Sequence, residues 1–346
     1  MDLELLESKF CGTMLGVLVG DCLGSTYEGQ DTLSNREKMI FQQFLDKMER
    51  SCLAELILKY TDDSAMTKSL AQSLIKKRDV DLVDIAKRFV KSYDQEPNRG
   101  YGTGAINVLQ KLREEKTDIK KPAKELFDGS GSYGNGGAMR IAPMSLFFYN
   151  NYDKLLHYVR EVTQITHSHK LGINGAILQA IAIQQSLRLN PTEELNVSNF
   201  LDDLIDKMDK IEVDESQPYK EKLDIIKTLL SEDGDGPDDE KVVQKLGTNI
   251  TAVESVPTAI FCFLRAQRPI KGIKTDNPCR RAIQYAITLG GDTDTIASMT
   301  GAISGAFYSN RKIDELNIWN FCEGEKRFRK LAKQLLDIAT SNDLNK

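Results

Sequence analysis

The sequence predicts an all-α protein, on three observations. Apolar residues recur with helical period along most of the 346-residue chain, no convincing run of alternating strand residues occurs, and glycines recur four apart through one segment with a similar small-residue stripe in a second. In order along the chain, GTMLGVLVGDCLG carries Gly12, Gly16, Gly20 and Gly24, which at helical spacing form one bare stripe. Glycine weakens a helix, so four in register need a reason, and close approach of another helix is one. Residues 81–93 place Leu82, Ile85, Phe89 and Val90 on one face. Residues 171–187 show the same spacing with little polar interruption, which predicts a central helix. Residues 216–230 and 320–340 are amphipathic as well. Gly301, Gly305 and Ala297 form the second stripe. If the two stripes face each other, the chain just beyond the first, with Glu28, comes beside the acidic start of the second.

Two acidic runs carry the chemistry. Thr61, Asp62 and Asp63 lie in YTDDSAMT, and Asp292, Asp294 and Thr295 lie in GGDTDTIASMTGA. Each opens a helix-like segment of small and apolar residues. Asp and Thr at helix starts ordinarily serve as N-caps. A cap uses one side chain, however, and each run supplies three. If the runs converge, four carboxylates face one point, an arrangement that is unfavourable without cations. An all-oxygen donor set suits a hard divalent ion such as Mg²⁺.

Two glycine-punctuated loops stand between these runs. GSGSYGNGGAMR at 129–140 could expose backbone N–H groups to phosphate, but no GK[ST] follows and no strand precedes it. NRGYGTGA at 98–105 reads as a turn. The charged connectors 112–122 and 231–241 read as surface crossings. The second is not an EF-hand, because Asp238 occupies the glycine position and Gln244 the final glutamate position. Of three histidines, His157, His167 and His169, His167 could contact phosphate or cap the following helix, while His169 is expected on the surface.

Bulk properties narrow the classes. A net charge of −5 argues against a basic footprint for nucleic acid, so no direct DNA binding is expected. The six cysteines, Cys11, Cys22, Cys52, Cys262, Cys279 and Cys322, contain no CxxC pair and read as free thiols in a reducing compartment. No segment has the length of a membrane span. MDLELLESKF lacks the marks of a signal or transit peptide, which leaves a mitochondrial pool unsupported. The two acidic runs lie on opposite sides of both connectors, so neither connector marks a domain boundary and residues 1–346 are expected to form one domain. A terpene-synthase-like reading fails, because acids would be needed near Met66 and Gly301 and only 7% of residues are aromatic.

The motifs together resemble the ADP-ribosylglycohydrolase family, and most closely its ADP-ribosylhydrolase 3 branch of serine-ADP-ribosyl and poly(ADP-ribose) hydrolases. The residues that carry this are GDCLGSTYE at 20–28, YTDDSAM at 60–66, RGYGTGA at 99–105 and GSYGNGGAMR at 131–140. THSHKLGINGAILQA at 166–180, ESVPTAI at 254–260 and TLGGDTDT at 288–295 complete the series, in the family's order over nearly the whole chain.

The resemblance implies an orthogonal multi-helix bundle, monomeric, with two Mg²⁺ held by Thr61, Asp62, Asp63, Asp292, Asp294 and Thr295, Asp294 bridging them. It implies that Ser132, Tyr133, Gly134 and Asn135, with His167, line a diphosphate. Phe127 and Tyr133 would flank the adenine, Gly102 would approach the distal ribose, and Ile250 would line the adenosine side. Glu28 would lie on a mobile flap. Asp292 is the expected base, and Glu28 would orient the 2″-hydroxyl or the scissile link, or act in proton transfer. The implied substrates are ADP-ribosylated proteins, poly(ADP-ribose) and O-acetyl-ADP-ribose, met in cytoplasm and nucleus as part of the DNA damage response. The alternatives are a non-catalytic ADP-ribose reader and a Mg²⁺-dependent diphosphohydrolase of ADP-ribose.

Overall fold

The computed structural model describes residues 2–50, 56–114, 118–213 and 216–344. Within them the regular structure is helical, and strand pairing is limited to isolated bridges. The helices run α1 (Leu3–Gly24), α2 (Asn35–Glu49), α3 (Asp62–Lys77), α4 (Leu82–Gln95), α5 (Thr103–Glu114), α6 (Lys121–Lys124), α7 (Gly136–Met139) and α8 (Ala142–Phe147). They continue with α9 (Tyr152–Thr163), α10 (Lys170–Arg188), α11 (Val197–Ile211), α12 (Pro218–Leu230) and α13 (Asp239–Leu246). The last are α14 (Ala252–Arg265), α15 (Pro278–Thr288), α16 (Thr293–Asp314) and α17 (Glu325–Leu344), with a 3₁₀ turn at Ile318–Phe321. Among the described residues no helix is long and apolar enough to cross a membrane.

The centre of the molecule is the antiparallel pair α1 and α16. A methyl added at Gly16 would lie 2.0 Å from Gly301 O, at Gly20 2.1 Å from Ala297 O, and at Gly12 2.5 Å from Gly305 O. At the far end, the same atom on Gly24 would lie 2.4 Å from Thr293 O. The two stripes therefore meet backbone to backbone over four turns, as the spacing predicts. A hydroxyl bond from Thr293 Oγ1 to Gly24 O (2.8 Å) closes that end. From Phe10 onward α1 is buried almost all round, and so is α10, the expected central helix.

Lys9 is fully buried and, among the described residues, has no acidic partner. Its ammonium donates to the carbonyls of Ser186, Leu187 and Leu189, satisfying the open end of α10. On the other flank, Arg280 ties α15 to Asp46 of α2 at 2.6 Å and to Glu49.

Element limits differ modestly from the sequence reading. The C-terminal helix begins at Glu325, because residues 318–321 form the tighter turn and Gly324, at φ +85°, resets the chain. In the connector at 112–122, α5 runs on to Glu114 and α6 starts at Lys121, while 115–117 lie outside the described residues. The 231–241 loop ends at Asp238, which caps α13 by accepting from Lys241 N. The five described cysteines are free thiols, four of them buried, and Cys52 lies outside the described residues.

Candidate active site

The close contact of α1 and α16 decides where the acids go. Because the end of α1 meets the start of α16, the turn after Gly24 brings Glu28 to Asp292 and Asp294. Carboxylate oxygens of these three lie within 4.8 Å of one another. The turn is fixed by Gly29 N donating to Gly291 O (2.8 Å) and Gly291 N donating to Gln30 O (2.8 Å). Both glycines have φ near +75°, a conformation that suits glycine. Glu28 itself is exposed, whereas Asp292 and Asp294 are buried.

The first acidic run joins them from α3. Asp63 Oδ2 lies 3.3 Å from Thr61 Oγ1 and 3.4 Å from Thr295 Oγ1, so one carboxylate touches both runs. Its other oxygen, Oδ1, is buried and has no hydrogen-bond partner. Thr61 does act as the N-cap of α3, accepting from Asp63 N. Asp292, at the equivalent position before α16, makes no capping bond. Its Oδ2 accepts instead from Asn135 Nδ2 at 2.5 Å, and the same amide reaches Ser255 Oγ at 3.1 Å. The side chain of Asn135, expected at a diphosphate, thus holds Asp292.

Beneath Thr61 lies Asp21, a residue to which the sequence reading gave no role. It is wholly buried in α1 and accepts from Thr61 N (2.9 Å), Thr61 Oγ1 (2.9 Å) and Ser64 N (3.0 Å). Since the Thr61 hydroxyl proton points to Asp21, the lone pairs of Oγ1 turn toward the cluster. A lone Asp within an apolar, glycine-striped helix was the available signal.

The electrostatics are those of an acidic centre without cationic protein partners. Among the described residues none of Asp21, Asp62, Asp63, Asp292, Asp294 and Glu28 is in a salt bridge. Burial pushes Asp21 up to about 6, against the bonds it accepts from Ser64 and Thr61. Burial, and then Asp21, push Asp62 up to about 8. Asp63 and Asp294 are driven well above the carboxylate range by burial and by the neighbouring acids. Glu28 is raised by burial and by Asp292 and Asp21. Buried oxygens that repel each other, one of them orphaned, fit cations, and Glu28, Asp292 and Asp294 could hold a metal ion.

The glycine-rich loop forms the next wall. Gly134 bridges Thr251, Asn135 N donates to Ile250 O (3.0 Å) and Ala252 N to Tyr133 O (3.1 Å), which pins the loop to the start of α14. Ser132 Oγ accepts from Gly134 N. The helix that follows, α7, has only four residues. Phe127, Tyr133 and Ile250 stand at this rim as exposed apolar side chains. Tyr133 meets His169 edge-on at 5.8 Å, and no ring contact joins it to Phe127. In the 98–105 loop, Arg99 O accepts from Asp62 N (2.7 Å), and Gly102 has open space at its α-carbon.

His167 lies under the loop, buried, and His169 takes the cap of α10 through Nδ1 and Leu171 N (3.1 Å). His169 is half-buried, contrary to the expected surface position, because its ring packs under Tyr133. The buried Arg140 donates to Thr166 Oγ1 (2.7 Å) and to Gly136 O (2.9 Å). Thr166 Oγ1 lies 2.7 Å from His167 Nδ1. Arginine can only donate, so Thr166 Oγ1 accepts from Arg140 and keeps its own proton to offer to Nδ1, a pairing that puts the N–H of His167 on Nε2. That nitrogen faces the loop: a methyl on Gly136 would lie 2.9 Å from it. Burial, and then Arg140, lower His167 to about 3, so the ring is neutral.

The fold and site define an all-helical protein with an acidic, oxygen-donor centre walled by a glycine-rich loop. The sequence profile of ADP-ribosylglycohydrolases matches residues 2–344, and the chain belongs to that family of glycohydrolases. It is 42% identical to ADP-ribosylhydrolase ARH3 of Mus musculus, over 95% of this chain and 91% of that protein. Identity to ADP-ribosylhydrolase ARH3 of Homo sapiens is 41%, over 95% and 93% respectively. A solved ADP-ribosylglycohydrolase-related protein complex superposes with a TM-score of 0.69 over 97% of this chain and 99% of that one. At 20% identity, that likeness supports the bundle fold alone.

Proposed function

We propose that the chain is a Mg²⁺-dependent hydrolase of O-glycosidic ADP-ribose linkages: serine-linked on proteins, within poly(ADP-ribose), and in O-acetyl-ADP-ribose. The carrying observation is the convergence of both acidic runs and Glu28 on one point, with Asp63 Oδ1 buried and unpartnered. Thr61, Asp62, Asp63, Asp292, Asp294 and Thr295 would hold two Mg²⁺. Bound there, the ions would offset the carboxylate charge, orient the ribose hydroxyls and ease deprotonation of water.

The remaining work falls to the chain. Cleavage builds positive charge on the sugar and negative charge on the departing oxygen. Asp292, its Oδ2 fixed by Asn135, accepts the proton of the attacking water. Glu28, the one exposed carboxyl of the group, is placed to steer the 2″-hydroxyl or pass a proton to the departing oxygen. The Nε2–H of His167 and the Ser132–Asn135 backbone bind the diphosphate. Phe127, Tyr133 and Ile250 give the adenosine its apolar surface, which accounts for large side chains left exposed at one rim. Gly102 leaves room for the distal ribose. One domain, acting as a monomer in cytoplasm and nucleus, belongs to the same reading and follows from the resemblance to the branch.

The test is a serine-ADP-ribosylated peptide with Mg²⁺, its products read by mass for wild type, Asp62→Asn and Glu28→Ala. Free ADP-ribose and unmodified serine from wild type, strongly reduced in both variants, is the expected result. Binding of ADP-ribose without product would make the protein a reader. AMP with ribose phosphate would make it a diphosphohydrolase.

A further inference from the structure

Behind the loop that faces Asp62 is a second polar cleft, of about 480 Å³, between α3, α4 and the start of α17. Four cations line it, Lys68, Arg88, Lys91 and Arg327, against one acid, Glu96, on a chain whose net charge is −5. Glu96 is itself held by Arg99 at 2.5 Å and lies 3.6 Å from Lys68. Lys68 donates to Tyr60 Oη at 2.7 Å, and Arg88 pairs with Asp84 at 2.5 Å. Among the described residues, Lys91 and Arg327 have no acidic partner. Gln72 adds an amide to the lining.

The cleft shares its wall with the active site. Tyr60, on its floor, precedes Thr61. Ser92, also lining it, accepts from Tyr101 Oη at 3.4 Å, and Arg99 of that loop is bonded through its carbonyl to Asp62 N. From Asp62 to Lys68 is six residues of α3, roughly 9 Å of rise. The glycine-rich loop, by contrast, is fixed to Asp292, so the proposed diphosphate and the cleft lie at different acids of the cluster.

In an ADP-ribose chain the oxygen that leaves the ribose is a hydroxyl of the next adenosine, and that nucleoside carries its own diphosphate. We propose that the cleft binds the diphosphate of the unit beyond the bond being cut, which rests on the hydrolase reading above. Cations spaced singly around a small cavity, with amide and hydroxyl donors between them, suit a compact polyanion with several acceptor oxygens. The polymer would then be gripped on both sides of the scissile bond, and a serine-linked single unit on one side only.

The test compares wild type with Lys91→Glu/Arg327→Glu and with a charge-matched control, Lys271→Glu/Arg311→Glu, whose cations are exposed elsewhere. Binding of a labelled ADP-ribose trimer and of monomeric ADP-ribose is measured in chelator, so that nothing turns over. Hydrolysis of the trimer and of a mono-modified serine peptide is measured with Mg²⁺. The cleft variant should lose trimer affinity, and raise KM for the trimer, on the order of tenfold, as for one or two charge-assisted bonds. Monomer binding and peptide hydrolysis should hold. Equal trimer and monomer affinity in wild type, or equal losses in the control, would overturn the assignment. So would an acidic peptide that displaces the trimer's extra affinity, since it would give the cleft to the acceptor protein. Failure of wild type to release ADP-ribose from either substrate would overturn the hydrolase reading, and trimer binding in chelator would still decide the cleft.

Discussion

Thr166 accepts from Arg140 and has one proton to offer, and giving it to His167 Nδ1 keeps the imidazole N–H on Nε2. In Thr166→Val the guanidinium loses an acceptor and the imidazole loses its partner. We expect a stability loss of about 1–3 kcal/mol, a several-fold weaker ADP-ribose affinity, and a changed tautomer by ¹⁵N NMR; an unchanged imidazole spectrum would refute the relay. The acids make a second prediction. Between pH 6.5 and 8, folded Asp62 keeps a proton that the unfolded chain has released, its value having moved from 3.8 to about 8. Metal-free stability therefore falls as pH rises through that window. His167, lowered from 6.5, opposes this only below 6.5, and Lys9, lowered from 10.5 to about 8, only above 8. Melting in chelator should show the fall, Asp62→Asn should lessen it while Asp63 and Asp294 keep their share, and divalent cation should restore most at the alkaline end. A rise in midpoint over the window would contradict the assignment. The clustered acids were legible because three oxygens in a row exceed what a cap requires. Asp21, Arg140 and Thr166 were not, since each is a single polar residue whose partner is distant in sequence.

Helices were read from periodicity with little error, and the glycine stripes gave the one long-range contact that the site needs. Packing at that contact leaves no room for a methyl. Gly16→Ala drives a carbon to 2.0 Å from Gly301 O, and should cost at least about 1–3 kcal/mol. It should also weaken metal binding, because a displaced α16 carries Asp294 and Thr295 with it. Titration calorimetry with Mg²⁺ on the folded variant would check this, and wild-type affinity would show that the seam does not set the site. Further along, α16 breaks at Ser309, which sits at φ +70° and ψ 179°, a conformation that favours glycine. Ser309→Gly should raise the thermal midpoint, and a lowered one would mean the hydroxyl outweighs the strain. The bridge from Gly134 to Thr251 could not be read beforehand, because two isolated residues leave no alternating pattern.

At the scale of the molecule, the centre joins α1 and α3 to α16, elements far apart in sequence. Divalent cation should therefore slow amide exchange in α1 and α16 together while leaving α12 and α13 unchanged, as hydrogen-exchange mass spectrometry would show. Protection confined to α3 would disprove that coupling. Composition and local periodicity do not reveal such topology; it emerges only when the spacing of the two small-residue stripes is matched. The pairing also has a consequence for biosynthesis. The surface of α1 that lies against α16 is made some 264 residues before its partner, counting from Glu28 to Asp292. At ordinary elongation rates that is an interval of roughly ten to fifty seconds. Throughout it the nascent chain carries an apolar helix without its mate, a natural client for a holding chaperone. No ribosome-bound fragment that stops short of residue 292 has both halves of the acidic centre, so the site comes into being only once the second acidic run is made.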